Sequence, residues 1–413
     1  METRPDMKDS IQFQEPETAP CHESACCPDV RIAGKDAMRI LHVVGAMDPG
    51  GTETWLMHVL RRIDRARFRM HFLVHSDRPG AYDHEVTSLG SKVLYCPVPS
   101  NLLRYAFNFW RIVQAHGPFD VVHSHVHHFS GWVLALAKAE GIPLRIAHSH
   151  SDTSLCDFGC RVPRALYLRT SKWLIGRFAS WKLAASRRAA ASLFGAEWSG
   201  DTRASLLYCG VDFAPFQAEV DKAKVRAELG IPQDAFVIGH VGRFAEPKNH
   251  DLLLRIHREL LNRNPRAILL MIGKGPLESK MRVLAEELGV TKSTVFAGTR
   301  TDVPRLMLGT MDAFAFPSLY EGLGLAVIEA QAAGLPTVMS DRLPPEADAG
   351  CGLTLPMSLS KSPGAWAEAI CRHAEAKKTL QKQALDHLRS SVFDIRTSAR
   401  ELCEFYARSL PNP

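Results

Sequence analysis

The feature that most constrains this chain is a rhythm. Short β-branched or apolar runs recur between longer amphipathic stretches: RILHVVG (39–45), MHFLVH (70–75), KVLYCPV (92–98), FDVVHS (119–124), LRIAHS (144–149), WKLAAS (181–186) and SLLYCG (205–210). Runs of this length separated by helix-length segments predict βαβ units around a parallel sheet. Residues 211–235 interrupt the rhythm with a charged helical stretch and the turn-like GIPQD. It restarts with FVIGHVG (236–242), AILLMIG (267–273), TVFAG (294–298), DAFAFPS (312–318) and PTVMS (336–340). The expectation is α/β: two Rossmann-like, doubly wound domains facing a central cleft, with ligands at the C-terminal ends of the strands. SARELCEFYARSL (398–410) reads as a final helix.

Composition narrows the class. Of 413 residues, 46% are hydrophobic and 23% charged, the balance of a water-soluble globular protein. No apolar run is long enough to span a bilayer. The N-terminus lacks a signal peptide's basic-then-apolar order, so a cytoplasmic location is expected. Residues 1–37 show no periodicity and read as a flexible extension. Its four basic and eight acidic side chains give it −4, against +6 for the whole chain, which leaves +10 on the body. A basic body suits an anionic small molecule, an anionic membrane or nucleic acid. The ten cysteines read as free thiols, as expected in the cytosol. Cys21, His22, Cys26 and Cys27 form the one grouping in the tail with metal-ligand residue types.

Several strand ends carry residues fit for chemistry. GAMDPGGTET (45–54) leads into a helix, and Gly50 and Gly51 let a ligand approach the backbone at an anion-favouring helix start. A tight turn explains the same pair. The third glycine of a dinucleotide fingerprint is absent, which counts against a dehydrogenase. In GHVGRFAEPKNH (239–250), Arg243 and Lys248 follow a strand and suit a diphosphate, binding it and stabilising charge as it leaves; two solvated surface cations are the plain alternative. IGKGPLE (272–278) lacks the phosphate-loop frame and is expected to shape a turn. LYEGLGLAVIEAQAAG (319–334) puts Glu321 in a loop and Glu329 within the first two turns of a helix. A carboxylate accepts two hydrogen bonds, so vicinal ribose hydroxyls match Glu329, and sugar hydroxyls match Glu321. Pairing of Glu329 with the helix start is the alternative.

Histidines crowd two strand ends, FDVVHSHVHHFSG (119–131) and RIAHSHSD (145–152). His148 and His150 alternate, and one is expected to face the cleft and the other to face away. Most of these histidines are expected to pack or to sit in loops. A metal site is one reading of these histidines; against it, the chain contains no D-x-D pair, the usual carboxylate clamp for a nucleotide-bound divalent ion, so no metal is expected. RVPRALYLRTSKWLIGRFASWK (161–182) is basic, free of acids and carries Trp173 and Trp181. It reads as a basic amphipathic helix, suited either to an anionic membrane or to a core-packed position with a solvated face.

GGTE (50–53), Arg243 with Lys248, and Glu321 with Glu329 eight positions on, in this order across two Rossmann-like domains, resemble the retaining glycosyltransferases of family 4, which have the GT-B fold. The likeness runs from about residue 39 to 409, and its finer features resemble the capsular and exopolysaccharide branch. Members often carry proline where Gly324 sits. The resemblance implies an acceptor-side domain over 38–212, a nucleotide-sugar-binding domain over 213–394, and a C-terminal helix over 395–413 that crosses back. It implies that Arg243 and Lys248 hold the donor diphosphate, Glu329 the ribose and Glu321 the donor sugar, with the backbone of Gly322, Leu323, Gly324 and Leu325 nearby and the Gly51 amide at the phosphates or acceptor. His150 takes the catalytic histidine position and His148 replaces a threonine. The implied reaction moves a sugar with retention from a nucleotide-diphosphate sugar to a glycan acceptor, without metal or other cofactor and without nucleic acid. A lipid-linked acceptor would draw the protein to the inner leaflet through 161–182. An epimerase of the same architecture, or a non-catalytic nucleotide-sugar binder, are the alternatives.

Overall fold

The structure is a computed structural model, and it describes residues 37–97, 101–154, 162–376 and 381–410. The tail grouping at Cys21–Cys27 lies outside the described residues.

The first half is a parallel sheet of seven strands: β1 (Met38–Val44), β2 (Phe68–Val74), β3 (Val93–Tyr95), β4 (Val121–Ser124), β5 (Leu144–Ser149), β6 (Trp181–Ala184) and β7 (Ala204–Leu206), in the order 3-2-1-4-5-6-7. Between them run α1 (Gly51–Arg62), α2 (Asp83–Ser88), α3 (Leu102–His116), α4 (Ser130–Ala139), α5 (Val162–Phe178) and α6 (Arg187–Phe194). After α7 (Lys222–Glu228), the second half is a six-stranded parallel sheet: β8 (Phe236–Val241), β9 (Ala267–Ile272), β10 (Thr294–Phe296), β11 (Ala313–Phe316), β12 (Thr337–Ser340) and β13 (Thr354–Met357), in the order 10-9-8-11-12-13. Its helices are α8 (His250–Leu261), α9 (Glu278–Glu287), α10 (Val303–Thr310), α11 (Leu325–Ala332), α12 (Pro363–Ala376) and α13 (Gln381–Arg389), and α14 (Ile395–Ser409) closes the chain.

The strands are apolar on both faces because helices cover both faces. In β1, Ile40 and Val44 pack with α1 and α14, while Leu41 and Val43 pack with α3, α4 and α5. Side-chain alternation therefore decides which helix layer each strand residue meets. Gly131 lets α4 meet α5 closely: a Cβ there would stand 2.6 Å from the Ser171 carbonyl oxygen. In both sheets the strand order reverses next to the first strand, between β1 and β4 and between β8 and β11. Those two switch points are where a doubly wound sheet opens a crevice for ligands.

Two chain crossings join the halves. Val211 donates to Phe393 O at 2.8 Å and accepts from Ile395 N at 3.0 Å. Gly210 is required there, since a Cβ would lie 2.6 Å from Ile395 Cα. Past this crossing α14 returns to the first sheet. Ser398 Oγ accepts from Trp55 Nε1 at 2.9 Å and donates to Tyr208 O at 2.8 Å, and Phe405 meets Trp181 edge-on.

The fold departs from the sequence reading in three places. β13 was not among the expected runs. The 211–235 interruption holds a short helix turn at Ala214–Gln217 as well as α7. The basic segment ends at Phe178, and Trp181 belongs to β6 rather than to the helix.

Candidate active site

Arg243, Lys248, Glu321 and Glu329 come from the two strands that flank the second switch point. β8 leads into the loop with Arg243 and Lys248; β11 leads into the loop with Glu321 and then α11. The Arg243 loop is clamped by backbone bonds: Gly242 N to Ile272 O at 2.9 Å, Phe244 N to Lys274 O at 3.1 Å, and Leu277 N to Phe244 O at 3.0 Å. Gly273 (φ 141°) and Gly275 press against Gly242 and Phe244, leaving no room for a Cβ at either. The IGKG segment is thus a turn that braces the Arg243 loop. Phe244 is buried and stacks on His250 at 4.2 Å, which anchors the backbone while the Arg243 side chain stays exposed.

Lys248 lays its stem along Gly242 and reaches Glu321, Nζ to Oε1 2.6 Å, with the Phe316 ring 4.9 Å from the ammonium. Both ends of this ion pair are largely sheltered, so neither charge is lost to solvent, and the attraction is stronger than at an open surface. Among the described residues Glu329 has no such partner. It is half-buried on α11, and burial alone pushes its carboxyl up to about 7. It does not cap its helix, since it is the fifth residue of α11 and the cap position is Gly324. Gly324 has φ 88° and ψ 49°, a left-handed conformation closed to proline, so a proline at this position would force a different loop path.

The first switch point faces this array. Gly50 caps α1 in extended conformation, and a Cβ at Gly51 would touch Leu325 Cδ1 at 3.5 Å. Gly322 sits against the His150 carbonyl, where a Cβ would be 1.8 Å from the oxygen, and Ser186 Oγ donates to Gly322 O. Leu323 is buried. The loop at 322–325 therefore touches both the α1 start and the end of β5.

Glu53 went unassigned in the sequence. It lies in the first turn of α1 and curls back over Gly50. Burial pushes its carboxyl up to about 7; its own backbone N–H and Arg243 pull down, while Asp48 adds to the rise. Arg243, from the second sheet, thus bears electrostatically on a carboxyl of the first. A carboxylate three residues into a helix that follows Gly-Gly was the signal available beforehand.

One expectation is overturned. His148 and His150 do not point to opposite sides: their ring centroids are 3.9 Å apart. Residues i and i+2 of a strand share a face, so alternation puts them together. With them stand His42 from β1, and His123 and His125 from the end of β4. His42 Nδ1 pairs with His125 Nε2 at 3.0 Å, His125 Nδ1 with His150 Nε2 at 2.8 Å, and His123 Nε2 with His148 Nδ1 at 3.1 Å. Tyr406 on α14 hydrogen-bonds His123 Nδ1 at 2.7 Å, and Cys209 Sγ lies 3.5 Å from His150 Nδ1. Burial holds His150 down at about 3, and burial with its histidine neighbours holds His148 and His125 well below the usual range. These imidazoles are neutral near pH 7, fit to exchange hydrogen bonds with a hydroxyl rather than to supply charge.

Among the described residues no helix is long and apolar enough to cross a membrane. α5 buries Leu168, Ser171, Leu174 and Ile175 and leaves Leu166 and Trp173 exposed among its four cations, so its apolar residues are not all seated on the core. α3 repeats this design, unread in the sequence: Leu103, Phe107 and Trp110 are exposed beside Arg104 and Arg111, and the helix carries no acid.

Comparison with known proteins fits this geometry. Residues 50–201 match the model of the glycosyl transferase 4-like domain, and residues 221–350 match glycosyl transferases group 1. The putative glycosyltransferase EpsF of Bacillus subtilis is 35% identical over 89% of this chain and 96% of its own length. The capsular polysaccharide biosynthesis glycosyltransferase CapH of Staphylococcus aureus is 24% identical over 89% of this chain and 98% of its own. Among solved structures, Anabaena HepE in complex with UDP-glucose superposes with a TM-score of 0.73 at 21% identity, over 89% of this chain and 98% of that one, a likeness of fold.

Proposed function

The chain belongs to the GT-B glycosyltransferases built from a 4-like and a group 1 domain, and on that premise we propose that it transfers a sugar with retention from a nucleotide-diphosphate sugar to a lipid-linked glycan in surface polysaccharide synthesis. The observation that carries the reading is the meeting of two strand ends over one array: the α1 start against Leu325, above Lys248 paired to Glu321, with Arg243 and Glu329 alongside.

In this reading the donor phosphates take Lys248 from Glu321 and engage Arg243. Glu321, released, accepts from hydroxyls of the donor sugar, and Glu329 accepts from both ribose hydroxyls. The bond between the anomeric carbon and the phosphate oxygen breaks as the bond to the acceptor oxygen forms on the same face. The acceptor proton passes to the leaving phosphate oxygen, and neutral His150 orients the acceptor hydroxyl. The two cations disperse the charge that grows on the diphosphate, so no divalent ion is assigned to this step. Contact of Gly322 with the end of β5 excludes water and favours transfer over hydrolysis. The apolar and basic faces of α3 and α5 suit an anionic membrane surface that holds a lipid-linked acceptor. The name of CapH supports the polysaccharide assignment, and the HepE complex supports a uridine donor.

The test is to incubate the protein with chelator and a panel of nucleotide sugars, with and without lipid-linked acceptor, and to measure nucleoside diphosphate. Release from one donor, raised by acceptor and lost in Lys248→Ala and Glu321→Ala, is the expected result. Equal release of free sugar without acceptor would replace transfer by hydrolysis or epimerase-type chemistry. Tight nucleotide binding with no turnover of any donor would leave a binding protein.

A further inference from the structure

We propose that His125, His148 and His150 form a binding site for a zinc-class transition-metal ion at the foot of the cleft, distinct from the diphosphate array; the ion takes His150 Nε2, so the loaded state is one in which His150 no longer orients the acceptor hydroxyl. One ring nitrogen from each lies within 4.8 Å of the others. What distinguishes this trio from stacked core histidines is how the remaining nitrogens are held. The second nitrogen of His125 faces His42 Nδ1 at 3.0 Å, that of His148 faces His123 Nε2 at 3.1 Å, and that of His150 faces Cys209 Sγ at 3.5 Å. Each ligand thus has an outer partner that fixes its ring, the arrangement metal-binding imidazoles use. The inward atoms are then His125 Nδ1, His150 Nε2 and His148 Nε2. His148 Nε2 is buried without a hydrogen bond of good geometry, the Leu207 backbone being the polar group beside that ring.

The first two inward nitrogens are 2.8 Å apart, against about 3.3 Å for imidazoles on one tetrahedral zinc. Parting these two by about half an ångström brings them to zinc spacing, with the His148 ligand atom within 4.8 Å of both. His125 and His150 are half-buried, which leaves the trio its exposure on their side, while His148 is fully buried. A second trio, His42, His123 and His125, shares His125 and is sealed deeper, so one ion at most is held, on the cleft side. All-imidazole ligation with sulfur behind it selects Zn²⁺, Co²⁺, Ni²⁺ or Cu²⁺ and excludes oxygen-seeking Mg²⁺ and Ca²⁺. No net proton is lost on loading: His125 moves its proton to Nε2 and donates to His42 Nδ1, and His42 holds its own on Nε2, which is buried and has no hydrogen-bond partner among the described residues.

The experiment uses the full chain with Cys21, Cys26 and Cys27 replaced by serine, stripped with chelator and titrated with Co²⁺ and then Zn²⁺. Visible absorption and equilibrium dialysis with elemental analysis give the readout, independent of any transfer activity. One equivalent is expected, with the intense visible bands of low-coordinate Co²⁺ that Zn²⁺ then abolishes. His125→Ala and His150→Ala, both at half-buried positions, should each weaken binding roughly 100-fold. His148→Ala serves as a third variant if it folds, and exposed His84→Ala should change nothing. Absence of binding by the folded protein overturns the proposal. So does binding that survives His125→Ala and His150→Ala, or binding that appears only when the tail cysteines are restored.

Discussion

At the scale of single residues, Glu329 makes the sharpest statement. Its carboxyl rises from 4.5 to about 7 on folding because burial disfavours the charge and none of the described residues pairs with it. Below pH 4.5 it is protonated folded and unfolded alike. Between 4.5 and 7 the unfolded chain ionises it first, so the folded state loses stability as pH rises, by roughly 3 kcal/mol once both forms are ionised. Glu329→Gln removes that penalty. The ligand-free variant should melt higher than the parent at pH 8 and equal to it at pH 4.5, provided both remain folded there, as read by thermal melts. The same variant should bind the nucleotide sugar roughly tenfold more weakly by calorimetry, since hydrogen bonds to a carboxylate are lost. A variant as unstable as the parent at pH 8 would mean that a partner already satisfies the carboxylate.

Among elements, the loop between β11 and α11 carries the coupling between halves. Gly322→Ala places a methyl on the His150 carbonyl, and neither backbone can yield cheaply. The expected outcome is a turnover loss of about 100-fold with donor affinity within a few-fold, because the donor array lies within the second sheet's loops. Steady-state kinetics beside nucleotide titration separate the two. A different element test concerns α3. Leu103→Ser with Phe107→Ser removes exposed apolar area without touching the buried Tyr105, Phe109 and Val113. Sedimentation with anionic vesicles should fall several-fold, and what binding remains should be abolished by high salt, which screens the cations. Unchanged sedimentation would assign that face another role.

For the whole molecule, α14 is the fastener. It seals Trp55 through Ser398, His123 through Tyr406 and Trp181 through Phe405. Deleting residues 395–413 uncovers one face of the first sheet and the crossing at Val211. The truncated chain should lose its cooperative melt or aggregate. Tyr406→Phe is the milder control: it removes one buried hydroxyl from His123 and should cost about 1 kcal/mol in a denaturant titration.

Sequence alone determined the two parallel sheets, since strands buried on both faces read as unbroken apolar runs and their crossovers as amphipathic helices. It also placed Arg243, Lys248 and Glu321 in the loops that follow strands, and Glu329 on the helix after the second of those loops. β13 escaped because Thr354–Met357 is a short, half-exposed edge strand containing Pro356, with little apolar signal. The histidine cluster depended on tertiary structure. His42 and His123 are 81 positions apart and become register partners only when β1 pairs with β4, and β5 then brings His148 and His150 beside them. Likewise α14 meets α1 only because the chain crosses back at Val211. Local pattern fixes an element and the face it presents; which faces meet is set by strand order and crossing, quantities that no window along the chain contains.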